Sequence, residues 1–262
     1  MCFQMDEYKM FSKPRGVCLI INNMDFGDPK KYRHGSDKDE ESLKKVFEWL
    51  GFTVEVQRNQ TAEQMKTILK TWGEKNHKGD CFVCCILSHG STDGVYGTDY
   101  QIVSREDIFS PFYGNPCWSL INKPKVFFIQ ACRGRQLHPT VQVQADAHKE
   151  EIAGEEEEKL ETDAETVILD GADFFVARST IKGYFSLRSS SGSWFIQSLC
   201  EQLEKYCPEG EDINSILVRT NEEVSRCLGE IKQEEQNLIK YIKVKQMPIY
   251  NSTLRKRLVF KP

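Results

Sequence analysis

Lys125 to Gly134, KVFFIQACRG, constrains the fold of this chain more than any other stretch. Val126, Phe127, Phe128 and Ile129 form a short uninterrupted apolar run, the pattern of a strand buried on both faces in a parallel sheet. The run stops at small and polar residues, so Cys132 should emerge at the carboxyl end of that strand, the edge where open α/β sheets place their ligands. Leu87-Ser88-His89-Gly90 ends a second apolar run, 81–88, in the same manner. His89 lies 43 residues before Cys132, and a parallel sheet would bring both to one edge.

The rest of the chain alternates between the two periods that such a sheet needs. GVCLIINN (16–23) predicts a strand. Ser36 or Asp37 is expected to cap a helix with Leu43, Val46, Phe47 and Leu50 on one face and Gly51 as its stop. FTVEVQ (52–57) alternates as a strand, and Thr61 with Gln64 makes a capping box ahead of Met65, Ile68, Leu69 and Trp72. Ser104 should open a short helix. Ala172 to Thr180 predicts another strand, 193–206 and 212–227 two helices, and TLRKRLVF (253–260) a closing strand with basic residues outward. The charged, amphipathic segment 229–244 matches no single element. Strands alternating with helices predict an α/β fold, a mostly parallel central sheet with helices on both faces.

From Arg133 to about Gly171 apolar periodicity disappears and acidic residues take over, with Glu155 to Glu158 uninterrupted, as expected of a functional or disordered connection. Elsewhere composition mainly excludes. A net charge of −4 gives no reason to expect nucleic acid, and no apolar run approaches the length of a membrane span. Met1 to Pro14 lacks the apolar core of a signal peptide. The ten cysteines fall largely inside predicted strands and helices, which suits thiols in a reducing, cytosolic compartment. Cys81 and Cys84 form a C-x-x-C within a core strand, without a second pair at zinc-site spacing, and are expected to be buried structural thiols.

A cysteine attacks as thiolate, and its ordinary pKa of about 8.5 leaves little ionised at neutral pH without help. His89 could take that proton and later protonate a leaving amine. The amides of Gly90 and Cys132 are candidate donors to a developing oxyanion, since glycine permits close approach. Alone, an S-H-G loop or a strand-ending cysteine is unremarkable; together they define a nucleophile and its base.

Q-A-C-R-G with a histidine about 50 residues upstream is the known signature of the caspases, and the chain resembles that family. The likeness runs from about Tyr8 to Phe260. YKM-x-SKPRG-x-CLIINN, DCF-x-CCILSHG, KPKVFFIQAC, SW-x-IQSLC and KQMP followed by TLRK-x-LVF look like the protease domain of the initiator branch. The resemblance implies a caspase-like sandwich: a large subunit over 1–146, an acidic intersubunit linker over 147–171 and a small subunit over 172–262. It implies cleavage after aspartate, with Arg33 in R-x-G-S, Gln130 in Q-A-C and Arg188 in S-x-R forming the pocket for the aspartate (P1) side chain, and Ser186 and Leu187 beside it on the substrate. Arginine's planar fork suits a buried carboxylate.

Within the connection, VQAD ends at Asp146, LETD at Asp163 and LDGAD at Asp173, and these are the expected self-processing sites. Protein substrates with aspartate at P1, other caspases among them, are the expected partners. A homodimer with TLRKRLVF near its interface is expected, and no metal or organic cofactor. The chain departs from the initiator pattern at Arg133, where glutamine is usual, and at Leu187, where an aromatic residue is usual. With no recruitment segment ahead of the protease, the chain is expected to be an excised domain or a short form activated by another route. The competing reading is a silent, caspase-like regulator that heterodimerises with an active caspase; retention of both Cys132 and His89 counts against it. A peptidase that cuts after basic residues would be repelled by Arg33 and Arg188.

Overall fold

The computed structural model describes residues 6–134, 136–137, 171–235 and 238–262. Its frame is a six-stranded sheet. Strand β1 (Gly16–Asn22) is followed by helix α1 (Ser36–Trp49), β2 (Thr53–Arg58), α2 (Ala62–Glu74) and β3 (Cys81–Leu87). A small hairpin, β4 (Gly94–Tyr96) with β5 (Ile102–Ser104), leads into α3 (Arg105–Phe109) and then β6 (Lys125–Gln130). After the connection come β7 (Phe174–Arg178), the two-residue strands β8 (Arg188–Ser189) and β9 (Gly192–Ser193), and helices α4 (Trp194–Tyr206) and α5 (Ile213–Arg226). The hairpin β10 (Gly229–Glu235) and β11 (Leu238–Val244) precedes the edge strand β12 (Ile249–Ser252).

In space the sheet runs β12-β7-β6-β3-β1-β2, parallel throughout except for the antiparallel pair β12 and β7. β3 and β6 are buried at every position, as their unbroken apolar runs require. Alternate residues feed two cores. Cys18, Ile20, Val83, Cys85, Val126 and Phe128 pack beneath α1, α4 and α5, while Leu19, Ile21, Phe82, Ile86 and Phe127 pack beneath α2 and α3. Because the strand period is two, Cys81 and Cys84 fall on opposite faces and cannot act as a pair. Among the described residues no helix is long and apolar enough to cross a membrane.

Two local expectations are corrected. α1 is not capped by Ser36 or Asp37: Gly35 is its N-cap, in the left-handed region at φ 83°, and Ser36 is the first helical residue. A side chain at Gly35 would strike the Ser189 carbonyl at 2.1 Å, so close packing against the 188–193 turn excludes a capping serine there. TLRKRLVF is not a strand. β12 ends at Ser252, and 253–260 crosses the end of the molecule through isolated bridges, Arg257 with Glu7 and Val259 with Asp212. Its apolar residues Leu258, Val259 and Phe260 are buried, but their neighbours are the 6–8 segment and the start of α5 instead of a sheet edge. The unassigned 229–244 segment is the β10-β11 hairpin.

Candidate active site

The two apolar runs do bring their terminal residues together. The chain leaves β3 at Leu87 and β6 at Gln130, register partners in adjacent parallel strands. His89 and Cys132 then line one open cavity of about 670 Å³, with Lys31, Gly90, Tyr96, Tyr100 and Phe185. Gly90 lies directly against the cysteine: a Cβ there would stand 2.6 Å from the Cys132 carbonyl oxygen.

His89 is oriented by a group with no signature in sequence. Its Nε2 sits 2.9 Å from the main-chain carbonyl of Lys31, at the end of a short 3-10 turn, Pro29–Lys31. A carbonyl can only accept, so Nε2 carries the proton in the neutral ring and Nδ1 keeps its lone pair. The ring also packs against Phe26, centroid to centroid 4.6 Å. Burial pushes the imidazole pKa below its ordinary value; the Lys31 carbonyl opposes this, and the charges of Arg33 and Arg188 add to it. Burial likewise pushes the Cys132 thiol up, partly offset by the Ser186 amide and by Arg33 and Arg188. Both shifts favour a neutral thiol and a neutral imidazole at rest. The Ser186 amide donates to Cys132 Sγ at 3.4 Å, and the thiol faces the Ser186 carbonyl at 3.8 Å.

Beside the thiol lie two guanidinium groups. Arg33 is 1% exposed; Nη1 donates to the Asn23 carbonyl at 2.9 Å and to Ser36 Oγ at 2.7 Å, while Nε and Nη2 are buried without a partner. Burial, with Arg188 as a like charge nearby, pushes its pKa down to about 9. Arg188 donates through Nε to the His34 carbonyl at 2.8 Å. Gln130 donates Nε2–H to Ser186 Oγ at 2.8 Å, and its Oε1 has no partner. Arg33, Arg188 and Cys132 act electrostatically on one another, so three segments far apart in sequence converge here. Two neighbouring cations, one of them with two unsatisfied buried donors, form a receptor for an anion, because each orphaned buried donor costs free energy until an acceptor arrives.

Three contributors were not legible as functional residues. The Lys31 carbonyl belongs to the main chain. Asp39, fully buried on α1, accepts from the Ser193 amide and Gln197 Nε2, both at 2.8 Å, and is a nearby negative charge for Arg33 and Arg188. Gln246, in the KQMP motif, accepts from the Leu187 amide at 2.6 Å. Among the proposed processing sites, Asp146 and Asp163 lie outside the described residues. Asp173 is described: its carboxylate is 1% exposed and paired with Arg255.

A parallel sheet with a thiol, an imidazole and a buried arginine pair converging at its carboxyl edge is the layout of a caspase-type fold. The caspase-domain family model matches residues 15–259, and the chain belongs to the caspase family. It is 43% identical to caspase-8 of Rattus norvegicus over 269 residues, which covers 97% of this chain and 53% of that protein. With caspase-10 of Homo sapiens it shares 41% identity over 204 residues, 77% of this chain and 38% of that protein. The crystal structure of caspase-1 from Spodoptera frugiperda superposes with a TM-score of 0.80 at 30% identity, covering 98% of this chain and 93% of that one. The chain spans about half the length of the caspase-8 relatives it matches.

Proposed function

We propose that this chain is an aspartate-specific cysteine endopeptidase of the initiator-caspase type, acting in apoptotic signalling by cleaving itself and related caspases after aspartate. One observation carries the reading: Arg33, buried beside Arg188 and Cys132, holds two unpartnered guanidinium nitrogens where a substrate carboxylate can accept them. Cys132 is the nucleophile and His89 its acid/base. With Nε2–H on the Lys31 carbonyl, Nδ1 takes the thiol proton as sulfur bonds to the scissile carbonyl carbon. The carbonyl electrons move onto oxygen, which the Gly90 and Cys132 amides receive. His89 then protonates the leaving amine as the C–N bond breaks, and water, deprotonated by the same nitrogen, hydrolyses the thioester. Arg33, Gln130 and Arg188 form the P1 pocket, with Ser186 and Leu187 beside the substrate backbone. This chemistry calls for no metal or cofactor.

The large subunit would span 1–146, the linker 147–171 and the small subunit 172–262, separated by cleavage after Asp163 and Asp146. Asp173, buried and ion-paired, would be cut last or only after local opening. Homodimerisation would use the outer edge of β12, the terminal strand of the sheet, in place of the 253–260 segment. The cytoplasm is the compartment that suits the free thiols.

Hydrolysis of a fluorogenic peptide ending in L-E-T-D, beside its L-E-T-N counterpart, tests the reading with wild type and Cys132→Ala, in the presence of a dimer-promoting salt. Turnover of the aspartate peptide alone, abolished by the substitution, is expected. No turnover by folded wild type, or equal turnover of both peptides, overturns it.

A further inference from the structure

One buried side chain bridges the two segments that flank Cys132, and no catalytic or pocket role accounts for it. Gln246, 1% exposed between β11 and β12, accepts the Leu187 N–H on Oε1 at 2.6 Å and donates Nε2–H to the Ser179 carbonyl at 2.8 Å. Ser179, at the end of β7, holds the residue before the cysteine: its Oγ accepts from the Ala131 amide at 3.3 Å and meets the Ala131 carbonyl at 3.2 Å. On the other side, Leu187 is the neighbour of Ser186, whose amide reaches Cys132 Sγ and whose hydroxyl accepts from Gln130. The Gln246 amide therefore adds to the Ser186 contacts a second tie between the floor that carries Cys132 and the 186–188 segment above it.

In an extended segment successive main-chain N–H groups face opposite edges. With the Leu187 N–H turned to Gln246, the main-chain groups of Ser186 and Arg188 are turned to the other edge, and the Ser186 amide and carbonyl do face the Cys132 sulfur. That edge, facing the thiol, suits an extended peptide added as a further strand.

We propose that Gln246 is a positioning residue that holds the 186–188 segment in register for pairing with the backbone of a peptide substrate, a proposal that rests on the peptidase reading. Gln246 touches neither the thiol nor the P1 pocket. Its effect should therefore fall on substrates long enough to pair with both Ser186 and Arg188, and spare one that uses the P1 pocket alone.

The experiment compares a fluorogenic L-E-T-D tetrapeptide with an acyl-aspartyl amide bearing the same leaving group, in wild type, Gln246→Met and Gln246→Ala. Methionine fills nearly the same volume without either hydrogen bond, and alanine removes both bonds together with the volume. For each variant the tetrapeptide KM should rise about tenfold or more, as for loss of a buried hydrogen-bond partner, with kcat and the single-residue substrate changed less than about threefold. An equal loss on both substrates, or no loss on either, would overturn the proposal. Wild type silent on the tetrapeptide would instead sink the peptidase reading, and this proposal with it.

Discussion

Two charged clusters occupy opposite ends of the same parallel strands, and they are finished differently. At the amino end, the Asp173 carboxylate accepts Tyr8 Oη–H at 2.6 Å and Arg255 Nε and Nη2 at 2.9 and 2.6 Å, while its carbonyl receives the Lys125 amide that opens β6. Both carboxylate oxygens are used. At the carboxyl end, Arg33 leaves two nitrogens unpartnered, Gln130 one oxygen, and Asp39 one oxygen. Buried polar groups are normally satisfied, so the Asp173 cluster is closed while the carboxyl-end cluster keeps groups open for the ligand proposed above, although Arg15, before β1, also has two unpartnered buried nitrogens. The satisfied cluster also joins three distant segments, the 6–8 segment, the residue before β7 and the C-terminal 253–257 stretch. If processing divides the chain within 138–170, that cluster becomes a clamp between the subunits.

Substitutions at each end should break this contrast in opposite ways. Arg33→Met should lower kcat/KM on an aspartyl peptide by about a thousandfold or more, while unfolding free energy moves by no more than about 1 kcal/mol, since an unpaired buried charge leaves with it. Peptide kinetics and urea titration of one preparation check both halves. Asp173→Asn should do the reverse, costing about 3 kcal/mol of stability by stripping charge-assisted bonds from Arg255, with kcat/KM per folded molecule within about threefold of wild type.

Titration should sharpen the comparison further. His89 acts as a base only when neutral, and its pKa lies below the ordinary 6.5, so the acid limb of kcat/KM should fall below pH 6.5. Burial raises the Asp173 carboxyl, yet the Arg255 and Tyr8 hydrogen bonds hold it below its ordinary 3.8. Its stabilisation is therefore complete above pH 3.8 and is lost only as pH falls through the lower folded value, so between pH 7 and 5 the Asp173→Asn penalty should stay flat in urea titrations. The smallest effect belongs to Tyr8→Phe, about 1 kcal/mol at pH 7 with kinetics unchanged, because Arg255 still satisfies the carboxylate. A larger loss would mean that the tyrosine, not the arginine, closes the clamp.

The legible part of this molecule is the part written in local pattern. β3 and β6 follow from runs too apolar for any exposed face, α2 from the capping box of Thr61 with Gln64, α3 from Ser104 as its opening residue, and α4 and α5 from apolar spacing behind Ser193 and Asp212. The placement of His89 and Cys132 on one edge follows from the same runs. The 253–260 stretch misled because alternating basic and apolar residues fit a strand equally well whether or not a neighbouring strand is free to pair; here Arg255 is drawn to Asp173 and the chain leaves the sheet. Ser36 misled because a good cap was available one position too late, where Gly35 alone could approach the Ser189 carbonyl.

By itself the sequence determined the alternating α/β order, the strand ends that deliver a thiol and an imidazole, and the family, since each depends on periodicity or on short motifs. Only the tertiary structure decided which carbonyl fixes the His89 tautomer, which donors of Arg33 stay empty and where Gln246 spends its amide. These depend on contacts between residues 58, 10 and 59 positions apart, Lys31 with His89, Asn23 with Arg33, Leu187 with Gln246. A hydrogen bond is set by approach within about 3 Å in a particular direction, and no one-dimensional pattern records that approach until the sheet has closed around it.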